Sequence, residues 1–186
     1  MGDIGRNKGD LWSVALLVTC VCASATSGAA GATDDARARG PFRVRLPAGN
    51  VAMGVRRALA SADQLLAQPA CQEVLTDFRD ASGRTLKEVL EEKGVSAQGY
   101  LRWIVFSDGY DLPACRKSAL AVTAPQSRVV FVCPTAFAEI MRGQPEEEAT
   151  VLIHEMLHTL GLGENPPRSR DITARVRARC RSGKKP

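Results

Sequence analysis

The chain has 186 residues, of which 45% are hydrophobic and 24% are charged, and its formal net charge is +5. That length has room for one domain once an N-terminal leader is set aside, and it can bury a core large enough to stand alone. After the leader no segment approaches the roughly 20 apolar residues that span a bilayer, so we expect no transmembrane helix.

The N-terminus has the pattern of a signal peptide. A short apolar stretch, Leu11 to Cys22, follows Arg6 and Lys8, and two Ala-x-Ala sites end at Ala25 and Ala32. This stretch is too short to cross a bilayer comfortably. The sequence therefore predicts a signal peptide over residues 1–32 and a secreted or periplasmic protein.

Two features of the leader region leave alternatives open. Cys20 could anchor a lipoprotein, although Thr19 before it is a poor match to the modification signal. Residues 33–50 contain four arginines and form either a short pro-peptide or a flexible start. We expect the folded domain to span residues 51–182, followed by a basic tail over residues 183–186.

The first half of the domain is predicted to be helical. Apolar residues recur at three- and four-residue spacings over 53–68 and 70–81, with Pro69 between the two segments. A shorter helix over 85–93 ends at Gly94. The chain therefore enters its second half after three predicted helices.

The second half mixes strands with helices. A strand is predicted from Leu101 to Phe106, then a turn at 107–110, and then a hairpin of two strands over 119–123 and 128–132. A helix over 134–142 leads through Gly143 into the helix with the most informative motif. The order of elements predicts an α+β domain, rich in helix, with a small β-sheet or hairpin before that helix.

The cysteines predict two disulfides. Without the leader, four cysteines remain, an even number suited to an oxidising compartment. Cys115 and Cys133 flank the two strands of the predicted hairpin and would face each other across its open end. The pair Cys71 and Cys180 follows by elimination. A zinc site made of cysteines is disfavoured, because no Cys-x-x-Cys spacing is present.

The run His154-Glu155-Met156-Leu157-His158 contains both histidines of the chain. Residues four apart on a helix are neighbours on one face, so both imidazoles can reach one metal ion. Glu155 lies next to the first imidazole, where a carboxylate can act as general base toward a water molecule. The pattern indicates metal-assisted hydrolysis, with His154 and His158 as ligands and Glu155 as the catalytic residue.

The flanking residues predict where this helix begins and ends. Pro145 suits a first helical position, and the three acids that follow it suit a first turn. Gly161 and Gly163 are expected to end the helix, because glycine readily adopts the left-handed conformation of a C-terminal cap.

A catalytic zinc ion needs a third protein ligand. Glu164 is the best candidate, because it lies six residues beyond His158 and just past the break at Gly161. Asp171 is the alternative, although it also suits the first turn of a final helix capped by Ser169. Tyr100 and Tyr110 are candidate donors to an oxyanion, but a packed or rim tyrosine is the more common role.

The spacing His154-Glu155-x-x-His158-x-x-Gly161-x-x-Glu164 resembles the extended motif of the metzincin-type zinc peptidases. Glu164 takes the place of their third histidine. The resemblance is local. It implies a minimal zincin-like fold, one zinc ion per chain held by His154, His158 and Glu164, and Glu155 as general base of a zinc metalloendopeptidase.

The longer run His154–Pro167 is similar to that of small secreted bacterial proteins classed as metallopeptidases. One departure from the metzincins is visible. They carry a methionine turn after their third ligand, and no methionine follows Met156 here. The resemblance implies a peptide or protein substrate.

The C-terminal segment leaves a different function open. From Arg168 to Pro186 the chain has eight basic residues and one acid, Asp171. Such a segment could contact an anionic cell envelope, although basic residues late in a helix also complement its dipole. Aromatic residues are not interleaved with them, so no nucleic acid partner is expected. The alternatives to a monomeric peptidase are an inactive zincin-like protein and a binding module that uses this tail.

Overall fold

The computed structural model describes residues 40–143 and 145–180. The predicted signal peptide, Cys20 and the basic tail over residues 183–186 lie outside these residues. None of the helices in the described ranges combines the length and the apolar character that a membrane crossing requires.

The fold is α+β, as predicted, with helices that surround one small sheet. In chain order the elements are β1 (Arg43–Arg45), α1 (Asn50–Leu66), α2 (Pro69–Gln72), α3 (Val74–Asp77), α4 (Leu86–Glu92), α5 (Ala97–Trp103), β2 (Val105–Asp108), a 3-10 helix (Cys115–Lys117), β3 (Ala121–Val122), β4 (Val129–Val132), α6 (Pro134–Ile140), α7 (Pro145–Thr159) and α8 (Ser169–Arg179).

The sheet has the strand order β1-β2-β4-β3. The first three strands in this order run parallel, while β3 pairs antiparallel with β4, with Ala121 opposite Val132. The predicted hairpin is therefore confirmed with shorter strands than expected. Its first strand, β3, lies at an edge of the sheet, and this position brings it beside α7.

The predicted strand from Leu101 to Phe106 is wrong over its first half. Residues up to Trp103 belong to α5, and β2 starts only at Val105. The Ser96 hydroxyl caps α5 by accepting a hydrogen bond from the Gly99 N–H at 3.1 Å. An apolar run as short as this one fits a buried helix or a buried strand equally well, so its periodicity alone could not decide between them.

The helix predicted over residues 70–81 is divided in two. After α2 and α3 the chain becomes extended at Phe78, and Asp80 forms an isolated bridge with Leu162. The Asp80 carboxylate accepts hydrogen bonds from the backbone N–H groups of Ser82 and Arg84, at 2.9 and 3.0 Å. Such local side-chain bonds compete with helix formation. The bridge to Leu162 places the Asp80 turn against the end of α7.

The α7 helix is the central element of the core. It packs against α1 on one side and against α8 and the sheet on others. Its residues from Leu152 to Thr159 are all buried. A helix enclosed in this way is a rigid support for the side chains that it presents to the site.

Both predicted disulfides are present. Cys71 of α2 is bonded to Cys180 at the end of α8, and Cys115 is bonded to Cys133. Two disulfides in a chain of this size indicate an extracellular or otherwise oxidising environment.

Removal of the Cys71–Cys180 disulfide is expected to lower the free energy of unfolding more than removal of the other one. The first bond joins residues 109 positions apart and the second joins residues 18 positions apart. The chain-entropy model gives about 5 kcal/mol for the long loop and about 3 kcal/mol for the short one. Urea unfolding of the two double Cys→Ser variants measures both values, and a larger loss in the Cys115/Cys133 variant would contradict this ranking.

The arginines of α8 are largely engaged within the chain. Asp77 accepts two hydrogen bonds from Arg179, at 2.8 and 2.9 Å, and lies 3.8 Å from the Nε of Arg175. Arg177 is paired with Glu147 of α7. These contacts hold α8 against the domain, and they leave fewer free charges in this segment for an anionic envelope.

Candidate metal centre

The two histidines of the motif face each other one turn apart on α7. Their Nε2 atoms are 3.0 Å apart, and each residue is only 6% exposed. The helix begins at Pro145 with Glu146, Glu147 and Glu148 in its first turn, as the sequence predicted.

Gly161 reverses the chain at the end of α7. Its φ of +112° lies in the left-handed region, and its N–H donates to the His158 carbonyl at 2.9 Å, while the Leu162 N–H donates to the Leu157 carbonyl at 3.2 Å. This pair of bonds is a Schellman motif. A Cβ at position 161 would also lie 3.1 Å from the Cβ of Asp80. Glycine is therefore required here, and the reversal returns the chain toward the histidines.

The same turn orients His158. Its Nδ1 lies 2.8 Å from the carbonyl oxygen of Leu162, and a carbonyl can only accept a hydrogen bond. The proton of a neutral His158 is therefore on Nδ1, and the lone pair of Nε2 points into the site. A backbone carbonyl of this kind is a common outer partner of a metal-binding histidine.

His154 is oriented from a different part of the chain. Its Nδ1 lies 2.9 Å from the hydroxyl oxygen of Thr173, on α8. A threonine hydroxyl can either accept a proton from this nitrogen or donate one to it. This contact therefore allows the tautomer in which Nε2 of His154 is also free to bind an ion.

At this short distance, the two Nε2 atoms must have either a proton or a cation between them. Since Nε2 of His158 has a lone pair, the Nε2 of His154 must either donate a proton to it or share a cation with it. Two lone pairs at 3.0 Å would otherwise repel each other. The arrangement thus suits a bound metal ion as well as a direct hydrogen bond.

Glu164 completes a group that could bind a metal ion. One ligand atom from each of His154, His158 and Glu164 lies within 4.8 Å of the other two. Glu164 is exposed, so its carboxylate has room to adjust toward the nitrogens. Asp171, the alternative third ligand, is not part of this group and lies in the first turn of α8, 3.6 Å from the Nε of Arg170.

Burial sets the protonation of the site. Desolvation, followed by the nearby His158, lowers the pKa of His154 to about 4, so this imidazole is neutral at pH 7, as a ligand must be. Desolvation, followed by the charge of Glu164, raises the pKa of Glu155 to about 8. A cation held by the neighbouring ligands would favour the ionised form of Glu155.

Glu155 is placed to act on a molecule in the cleft. It is 8% exposed and lines a cleft of about 470 Å³ together with the three candidate ligands. Within the described residues, no hydrogen bond or ion pair occupies its carboxylate. It also lies outside the group of candidate metal ligands, so it could exchange a proton with a bound molecule.

The two candidate oxyanion donors lie elsewhere. Tyr100 is buried in the core, where its hydroxyl donates to the Thr159 carbonyl at 2.9 Å. Tyr110 is 67% exposed and belongs to a second pocket, beside the Cys115–Cys133 disulfide. Neither tyrosine lines the cleft of the histidines, so both have the packed or rim role that is more common.

Two parts of the site could not be predicted from the sequence. Thr173 is an ordinary polar residue in a helix rich in arginine, and nothing in its spacing relates it to His154. The edge strand β3 borders the cleft, although its sequence pattern predicts only one strand of a hairpin. Both reach the site through packing between distant segments.

No family model, curated protein or solved structure matches this chain.

Proposed function

We propose that the protein is a secreted zinc-dependent endopeptidase. The observation that carries this proposal is the arrangement of the motif. Ligand atoms of two buried imidazoles and of the Glu164 carboxylate lie within 4.8 Å of one another, and the Glu155 carboxylate lines the same cleft without a hydrogen bond to any described residue.

We propose zinc as the ion because this donor set matches a common type of catalytic zinc site. Catalytic zinc takes three protein ligands from histidine and carboxylate side chains and leaves one position open. Two nitrogens bound tetrahedrally at about 2.05 Å from zinc lie roughly 3.3 Å apart. The two Nε2 atoms are 3.0 Å apart, so the imidazoles would have to move only slightly apart to reach that value. Magnesium and calcium prefer sites made of oxygen ligands.

The reaction that we propose is hydrolysis of a peptide bond by water. When bound, zinc acts as a Lewis acid, which lowers the pKa of water and polarises the scissile carbonyl. Glu155 accepts the proton of the attacking water and then delivers it to the leaving amine. Burial raises the pKa of Glu155 to about 8, and a bound cation would oppose this shift and favour the ionised form that accepts the proton.

The edge strand supports a peptide as the substrate. Leu120 is opposite Cys133 and its carbonyl accepts a hydrogen bond from the Cys133 N–H at 3.0 Å. Hydrogen-bonded pairs alternate along an antiparallel ladder, so the backbone N–H and C=O of the next residue, Ala121, point away from β4. Ala121 itself lines the cleft. An extended peptide can bind there by strand addition.

Secretion is supported by two independent features. Residues 1–32 have the pattern of a signal peptide, and the remaining cysteines are paired in two disulfides.

Chelation is expected to abolish activity reversibly. The purified mature protein, loaded with zinc, should cleave members of a mixed peptide library, should lose this activity on treatment with a chelator and should regain it when zinc is restored. Mass spectrometry of the products measures the cleavage. Stoichiometric zinc without turnover of any peptide would contradict the proposed peptidase activity. It would favour a protein that binds zinc but does not cleave peptides.

A further inference from the structure

We propose that Thr173 is a positioning residue for His154 and that, through it, the C-terminal helix α8 is part of the metal site. This inference rests on the metal ion of the proposed function, but it does not depend on the peptidase reaction. Its basis is the 2.9 Å contact between the Thr173 hydroxyl and Nδ1 of His154.

The contact is important because His154 is enclosed. The residue is 6% exposed, and Thr173 is the partner of its Nδ1 among the described residues. Without the hydroxyl, this nitrogen would lose its hydrogen-bond partner, and the ring would lose the contact that fixes its rotation. A ring that is free to turn holds a metal ion less tightly, since outer partners of this kind tune ligand orientation and basicity.

The two imidazoles differ in how their partners are supplied. His158 is held by a carbonyl only four residues away, within the turn that ends α7. His154 is held by a side chain 19 residues away on a separate helix. The orientation of His154 therefore depends on the docking of α8, whereas that of His158 does not.

Three kinds of contact fix α8 in the required place. Ile172 and Val176 are fully buried one turn apart on α8, and half-buried Thr173 lies beside them at the edge of this face. The Cys71–Cys180 disulfide ties the end of α8 to α2, and Asp77 binds two of its arginines. Since the same helix carries Thr173, the docking of α8 and metal affinity are linked, and each favours the other.

Paired substitutions at position 173 test the inference. Thr173→Val keeps the branched shape and removes the hydroxyl, while Thr173→Ser keeps the hydroxyl. We expect Thr173→Val to weaken zinc binding roughly 10- to 100-fold and Thr173→Ser to stay within roughly threefold of wild type. Competition with a chromophoric chelator measures the dissociation constant of zinc for each protein.

Thr150→Val is the matched control. Thr150 is buried, and its hydroxyl donates to the Glu146 carbonyl within α7 at 2.8 Å. Among the described residues it forms no hydrogen bond with either imidazole, so the substitution removes a threonine hydroxyl from the same helix without removing a partner of a ligand. Zinc affinity in this variant should equal that of wild type.

A spectroscopic measurement separates positioning from general destabilisation. The chain has only two histidines, so long-range proton–nitrogen spectra show each imidazole separately. In the zinc-bound wild type, the Nδ1 protons of His154 and His158 should both be protected from exchange. In Thr173→Val the His154 signal alone should lose protection, and a simultaneous loss at His158 would indicate a structural effect and overturn the inference.

The outcomes distinguish this inference from the proposed function. Failure of the wild-type protein to bind zinc would contradict both the positioning role of Thr173 and the proposed function. If wild type binds zinc and Thr173→Val binds it equally well, the role of Thr173 is wrong while the metal site stands. If zinc affinity falls as expected in a protein that cleaves no peptide, the positioning role stands and the peptidase does not.

Discussion

Replacement of Glu155 by glutamine is expected to slow peptide hydrolysis roughly 10²- to 10⁴-fold, the usual contribution of a positioned acid–base group. Glutamine has nearly the same shape but cannot accept the proton of an attacking water. Glu155 lines the cleft and is not part of the ligand group, so zinc should stay in the site. The turnover number of a cleaved peptide and the zinc content of the variant are the two measurements.

Glu91→Gln is the control for this substitution. Glu91 is an exposed acid of α4 that lies 3.9 Å from the Nζ of Lys87, and it does not line the cleft. Its replacement should leave both zinc content and turnover unchanged. Zinc retention with wild-type turnover in Glu155→Gln would show that another group is the base, and loss of zinc would show that Glu155 is itself a ligand.

Replacement of His154 by alanine is expected to remove the metal. With one of three protein ligands lost, zinc binding should weaken by roughly 10³-fold or more, since structural zinc sites contribute about 10–16 kcal/mol through their full ligand sets. Elemental analysis after gel filtration should find zinc in the wild type and none in the variant. His158→Ala should behave in the same way, because both Nε2 atoms face the same point.

The stability of the protein provides a second measure of this loss. A ligand that binds only the folded state raises the free energy of unfolding by about 4 kcal/mol at a thousand times its dissociation constant. Added zinc should therefore raise the melting temperature of the wild type and leave that of His154→Ala unchanged.

Asp171→Ala is the matched control for the ligand substitutions. Asp171 was the alternative third ligand on sequence grounds, but its side chain lies beside Arg170 and outside the ligand group. The variant should keep its zinc, while Glu164→Ala should bind zinc more weakly. Stoichiometric zinc in His154→Ala, or its loss in Asp171→Ala with retention in Glu164→Ala, would contradict the ligand set.

The disulfides show how much a local pattern can predict. Cys115 and Cys133 were paired because they flank a hairpin, and the remaining pair followed without any knowledge of the fold. The strand predicted from Leu101 shows the opposite case. The apolar run satisfies a helix and a strand alike, and the Ser96 cap together with packing against the core determined which residues became helical.

The sequence by itself determined the helix that carries the candidate metal ligands. The four-residue spacing of His154 and His158, the acids after Pro145 and the glycine at position 161 act through neighbouring turns of one helix, so their geometry follows from local backbone rules. Only the tertiary structure decided the surroundings of that helix. Thr173, the Asp80 turn and the edge strand β3 reach the site from distant segments, and such contacts depend on how whole elements pack.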